Sequence, residues 1–124
     1  MTDVFAWIFQ GGKLVDNAAT LGAVSTIAWT VPAGKRWLVL GGYAERDAAA
    51  TLDLKVENAT PLNVLVMPQI GAGTTNIGFG CFGDPSVWGF RPFILDAGYV
   101  ITIDWGAGQT TPEVALLVME IDIS

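Results

Sequence analysis

Over residues 51–57 apolar and polar side chains alternate without exception. Leu52, Leu54 and Val56 fall on one side, and Asp53, Lys55 and Glu57 on the other. A period of two predicts a β-strand with one face on a core and one in water. Residues 99–105 repeat the pattern, with Tyr99, Ile101, Ile103 and Trp105 opposite Val100, Thr102 and Asp104. The stretch 113–123 is apolar on both sides for most of its length. Ala115, Leu117, Met119, Ile121 and Ile123 lie on one side, and Val114, Leu116 and Val118 on the other, ahead of Glu120 and Asp122. Such a strand is expected to be covered on both faces, inside the fold or at an interface. Less regular β-rich runs at 3–9, 24–31, 36–44, 62–67 and 87–95 bring the expected total to about eight strands.

Glycine (15) and proline (6) punctuate these runs, and no stretch sustains the 3.6-residue apolar period of a helix. Asn58-Ala59-Thr60-Pro61 reads as a turn. The segment 106–112 reads as a second, predicted to close a hairpin between the last two strands. Pro32-Ala33-Gly34-Lys35 and Asp96-Ala97-Gly98-Tyr99 echo one another, an Ala-Gly turn feeding a β run in each half of the chain. The whole pattern predicts an all-β fold: a two-sheet antiparallel sandwich, wound as a jelly roll of about eight strands. An immunoglobulin-like sandwich is the alternative, though its Cys…Trp…Cys pattern is absent. Residues 10–23 read as a loop or a short helix. The expectation is therefore one domain over 1–124, with 1–23 as an N-terminal arm and loop. The glycine-rich stretch 68–86 reads as a long functional or flexible loop.

Composition changes this picture in one respect. Apolar residues make up 52% of the 124, and charged residues only 15%, against about 25% in an average soluble domain. No apolar run approaches the roughly 20 residues of a spanning helix, so a membrane does not account for the excess. The N-terminal stretch begins with an acid and lacks the basic region of a signal peptide, so the chain is expected to stay in the cytoplasm until it joins a larger assembly. A soluble chain this apolar hides surface most simply against copies of itself or a partner. The net charge of −6, with scattered bases and no histidine, argues against nucleic acid or an anionic membrane as partner.

Candidate chemistry is sparse. Gly78-Phe79-Gly80-Cys81-Phe82-Gly83 spells the dinucleotide fingerprint, yet Asp84-Pro85, Gly89 and Pro92 forbid the helix that must follow it. Asn58-Ala59-Thr60 spells a glycosylation sequon but reads as an Asx turn. Glu120 with Asp122, and Asp104 with Glu113 across the expected hairpin, are the carboxylate pairs that glycoside hydrolysis would need. Such groups are ordinarily solvated surface. No loop has the spacing of a calcium-binding loop. The lack of histidine removes the usual general base, the usual triads and the metal ligands of a cupin enzyme. Cys81 has no imidazole partner and reads as a small buried or half-buried residue. The chain is expected to be no enzyme and to carry no cofactor or metal.

Aromatic residues are the better signal. Phe5, Trp7 and Phe9 form a stripe in the N-terminal stretch. Phe79 and Phe82 sit in the glycine-rich loop, with Trp88 and Phe90 just beyond it. These seven are the candidate interface residues, since aromatic side chains on accessible segments anchor neighbouring subunits. Phe79 and Phe82 have an equal alternative, folding back over an edge of the core. Of the five tryptophans, Trp29 and Trp105 fall on expected core faces. An exposed tryptophan platform would instead suit a glycan, making a carbohydrate-binding module or lectin the alternative function.

The run Thr30-Val31-Pro32-Ala33-Gly34-Lys35-Arg36-Trp37-Leu38-Val39-Leu40 resembles a phrase of small β-sandwich structural proteins in tailed-phage virions. There a similar turn leads into a strand. Leu95-Asp96-Ala97-Gly98-Tyr99-Val100-Ile101 is similar to the entry of a late strand in the same proteins, departing from it at Tyr99, where a polar residue is usual. The resemblance carries over no functional residue. It implies a role in the virion: capsid decoration, a minor capsid protein, or a tail component. The expected partners are further copies of the chain, as a trimer, and a major capsid or tail protein.

Overall fold

The computed structural model describes residues 11–67, 69–80 and 92–123. Among them are eleven strands and no helix: β1 (Lys13–Asp16), β2 (Ala19–Thr20), β3 (Val24–Thr30), β4 (Lys35–Ala44), β5 (Ala50–Glu57), β6 (Asn63–Val66), β7 (Ile70–Gly73), β8 (Ile77–Gly80), β9 (Phe93–Asp96), β10 (Val100–Gln109) and β11 (Glu113–Asp122). They form two antiparallel sheets packed as a sandwich. The first runs β1-β11-β4-β8, with β2 also on β11 and β9 also on β4. The second runs β3-β10-β5-β6, with β7 also on β5.

The short strands share edges end to end. β1 pairs with residues 117–120 of β11 and β2 with 113–114. β8 pairs with 41–44 of β4 and β9 with 36–39. Likewise β6 pairs with 55–57 of β5, and β7 with 50–52. Each sheet is thus four columns wide. The chain pairs its beginning with its end and works inward: β1 and β2 with β11, β3 with β10, β4 with β8 and β9, and β5 with β6 and β7.

Alternation explains the core. Leu52, Leu54 and Val56 of β5 and Ile101, Ile103 and Trp105 of β10 are all buried, as their period of two requires. From the facing sheet come Trp37 and Val39 of β4, Val114, Leu116 and Val118 of β11, Ile77 and Phe79 of β8, and Leu95 of β9. The two-faced character of β11 has its counterpart in a second apolar cluster, Leu38, Met119 and Ile121 with Leu40 against it. These side chains alternate with the core-facing ones, so they lie on the other side of the first sheet. One row crosses all four columns: Leu14 beside Met119, Met119 beside Leu38, and Leu38 beside Ile94.

The two echoed turns have the same form. Lys35 N–H donates to the Pro32 carbonyl and Tyr99 N–H to that of Asp96, both at 3.2 Å. Gly34 and Gly98 occupy the same position, with φ of 75° and 88°, which a residue bearing a Cβ adopts only at a cost. The turns also lie side by side. Val31 N–H donates to the Tyr99 carbonyl and Gly98 N–H to that of Val31, both at 2.9 Å.

Three expectations need correction. β10 and β11 do not form a hairpin; they lie in different sheets. Their apolar stripes meet the one core from opposite sides, so the 110–112 turn crosses the sandwich. Residues 13–16 and 19–20 are neither loop nor helix but edge strands on β11. Part of the supposed glycine-rich loop is likewise β-structure, β7 and β8.

Candidate functional site

Of the seven candidate interface residues, Phe5, Trp7, Phe9, Phe82, Trp88 and Phe90 lie outside the described residues. Phe79 is not on the surface. It is 1% exposed and belongs to the core. Its cross-strand partner on β4 is Gly42, and the missing side chain there leaves room for the ring. Phe79 therefore takes the second course open to it and closes over the core.

The tryptophans within the described residues also turn inward. Trp37 and Trp105 are buried and Trp29 packs against the same cluster. The Trp37 indole donates to Glu120 Oε2 at 2.9 Å, and that of Trp105 to the Glu45 carbonyl at 2.9 Å. Buried indoles ordinarily find such partners, and Trp37 and Trp105, at 4% and 3% exposed, present no face for a sugar.

The carboxylates are dispersed by structure. Asp104 belongs to the second sheet and Glu113 to the first, so the pair expected across a hairpin does not meet. Asp104 instead lies beside Asp53. Glu120 accepts from Trp37. Asp122 is hydrogen-bonded by Lys35, its cross-strand partner. That bond, and then the Lys35 charge, holds the Asp122 carboxyl below its ordinary value; the same bond holds the Lys35 ammonium above its own. Glu113 accepts from the Tyr43 hydroxyl at 2.8 Å, which pushes the phenol's pKa up. Tyr43 and Glu113 line an open cleft of about 320 Å³ with Ala18, Ala19, Thr20 and Val114. Among the described residues no cluster of His, Cys, Asp or Glu is arranged to hold a metal ion, and no helix is long and apolar enough to cross a membrane.

One end of the sandwich is locked by side chains that the sequence did not single out. Arg46 is 5% exposed. Its Nη1 donates to the carbonyls of Ala50 (2.7 Å) and Gly71 (2.8 Å), and its Nε to that of Thr75 (2.8 Å). Gln109, also buried, exchanges hydrogen bonds with the backbone of Ala48. Asp47 accepts from the amides of Thr110 and Thr111. These groups tie the 45–49 connection to β7 and to the 110–111 turn, and their polar atoms are spent on backbone.

Some of the accessible surface is apolar. Leu62 (64% exposed), Val64 (51%) and Val66 (61%) lie on or beside β6, at one edge of the second sheet. Leu14 and Ile94 end the apolar row on the outer side of the first sheet. Sequence reasoning placed a strand at 62–67 but gave no sign of this exposure, because Leu62-Asn63-Val64-Leu65-Val66-Met67 does not alternate cleanly. No protein-family model matches the chain, and no curated protein is detectably similar to it.

Proposed function

We propose that the chain is a virion structural protein, a capsid-decoration, minor capsid or tail component, that self-associates and docks on the particle through apolar surface. The observation that carries the reading is the order in which the strands pair. We read a chain whose first two strands pair with its last, whose third pairs with its second-last, and so inward across two four-column sheets, as the winding of a jelly roll. That is an architecture used in viral capsid and lectin domains. The resemblance of residues 30–40 and 95–101 to tailed-phage sandwich proteins points the same way. So does an apolar excess that the core does not absorb: Leu62, Val64 and Val66 are each more than half exposed.

The mechanism is burial of apolar surface between subunits, worth about 25 cal/mol for each Å² removed from water. Localisation in the virion, after synthesis in the host cytoplasm, follows from the role. The test is the native mass of the purified chain by light scattering at two concentrations, followed by co-sedimentation with particles of the phage that encodes it. A stable oligomer that sediments with particles is the expected result. A monomer at high concentration that stays in the supernatant would overturn the reading.

A further inference from the structure

We infer that the β6 edge is a self-association surface, on which β6 of a second copy pairs antiparallel to form one continuous sheet across two protomers. The inference rests on the self-associating role proposed above and names the surface that carries it.

An edge strand presents unpaired N–H and C=O groups, a template for another strand. Among the described residues β6 and β7 pair with β5 and with nothing else. Natural edges are commonly guarded by charge. The first sheet follows this rule: β1 begins with Lys13 and β9 ends with Asp96. The β6/β7 column does not. From Asn58 to Gly83 the sequence holds no charged residue, although the chain carries a net charge of −6. Copies of one acidic protein repel each other, and an uncharged edge is where they meet at least electrostatic cost.

The side chains choose the occupant. Leu65 and Met67 pack against the core, while Leu62, Val64 and Val66 face solvent. The opposite edge of the same sheet, β3, is also uncharged, but it exposes Thr26, Ala28 and Thr30. Pairing β6 with β3 of a neighbour would set valines against hydroxyls. Pairing β6 with β6 sets valine against valine, in a contact that is self-complementary and closes about a two-fold axis. The assembling unit is then a dimer, not the trimer expected from sequence.

The test combines native mass with amide exchange. Wild type is measured by light scattering at low and high concentration beside Val64→Lys, which charges the edge, and Ile94→Lys, which charges the other sheet. The expected result is a dimer, or an even multiple, for wild type and Ile94→Lys, and a folded single chain for Val64→Lys. Amide exchange of wild-type residues 63–66 is followed at the high concentration and at a low one dilute enough that the mass is that of a single chain, and is expected to slow by more than about tenfold as the edge becomes paired. A wild-type monomer at both concentrations would remove the self-association reading and this contact with it. An oligomer that survives Val64→Lys, or whose 63–66 amides exchange equally fast at both concentrations, would overturn the edge while leaving self-association standing. Should Val64→Lys fail to fold, the exchange measurement decides alone.

Discussion

Phe79 lies directly over Gly42 across the β4–β8 pair. A Cβ built on Gly42 would stand 2.8 Å from the ring's Cζ and would collide with the Ala115 carbonyl oxygen on the other neighbouring strand. Gly42 is therefore required by what passes on both sides of it. The first sheet accommodates an aromatic core residue by removing a side chain from the middle of a central strand. Gly42→Ala is expected to destabilise the fold by at least about 2 kcal/mol through overpacking, and Phe79→Ala by about 3–5 kcal/mol through the cavity it leaves. Urea unfolding of both variants checks this. Because the two sites touch, the double variant should cost less than the sum of the singles. Strict additivity would show that the ring does not depend on the glycine.

That relationship also explains what could and could not be read from the sequence. Strands β5 and β10 were legible because each has a polar face in water, so their alternation is unbroken. The two-faced apolar pattern of β11 correctly announced burial on both sides. Gly78-Phe79-Gly80 read as a loop because its strand character comes from its partner: Gly41 and Gly42 of β4 lie opposite Gly80 and Phe79, a pairing far off in sequence. The expected β10–β11 hairpin failed for a related reason. Period-two alternation says which side of a strand faces the core but not which sheet the strand joins. In the candidate site, six of the seven aromatic residues lie outside the described residues. The exposed valines of β6 went unnoticed because apolar residues are expected inside.

Arg46 offers a second prediction. Nothing in Ala44-Glu45-Arg46-Asp47 marks a buried cation, yet its guanidinium satisfies three carbonyls, from the strands β5 and β7 and from the connection that follows β7. Arg46→Met keeps much of the apolar stem and removes the donors. Leaving buried carbonyls unpaired is expected to cost about 3 kcal/mol in total. Arg46→Lys, with a single ammonium in place of the planar fork, should fall between. Chemical denaturation gives the stability. Amide exchange should quicken around Gly71 and Thr75 before the rest of the second sheet loosens. A Met variant as stable as wild type would mean that water replaces the guanidinium without loss.

The Lys35–Asp122 pair makes stability depend on pH in a direction that can be worked out. It joins the start of β4 to the end of β11, beside the backbone bond from Ile123 N–H to the Gly34 carbonyl at 2.9 Å. The Asp122 carboxyl is held below its ordinary value, so its contribution is present above the ordinary aspartate range, near pH ~4, and fades as pH falls through the lowered folded-state value. The Lys35 ammonium is held above its ordinary value, so its contribution is present below pH ~10 and fades as pH rises through the raised one. Asp122→Asn should therefore lower the melting temperature slightly across the neutral range, the pair being solvent-facing. The difference from wild type should vanish in strong acid and shrink again in strong alkali. Salt should narrow it at neutral pH, because an exposed pair is screened. A gap between wild type and variant that is unchanged from neutral pH to strong acid would assign the effect of the substitution to lost packing or altered strand geometry, and not to the ion pair.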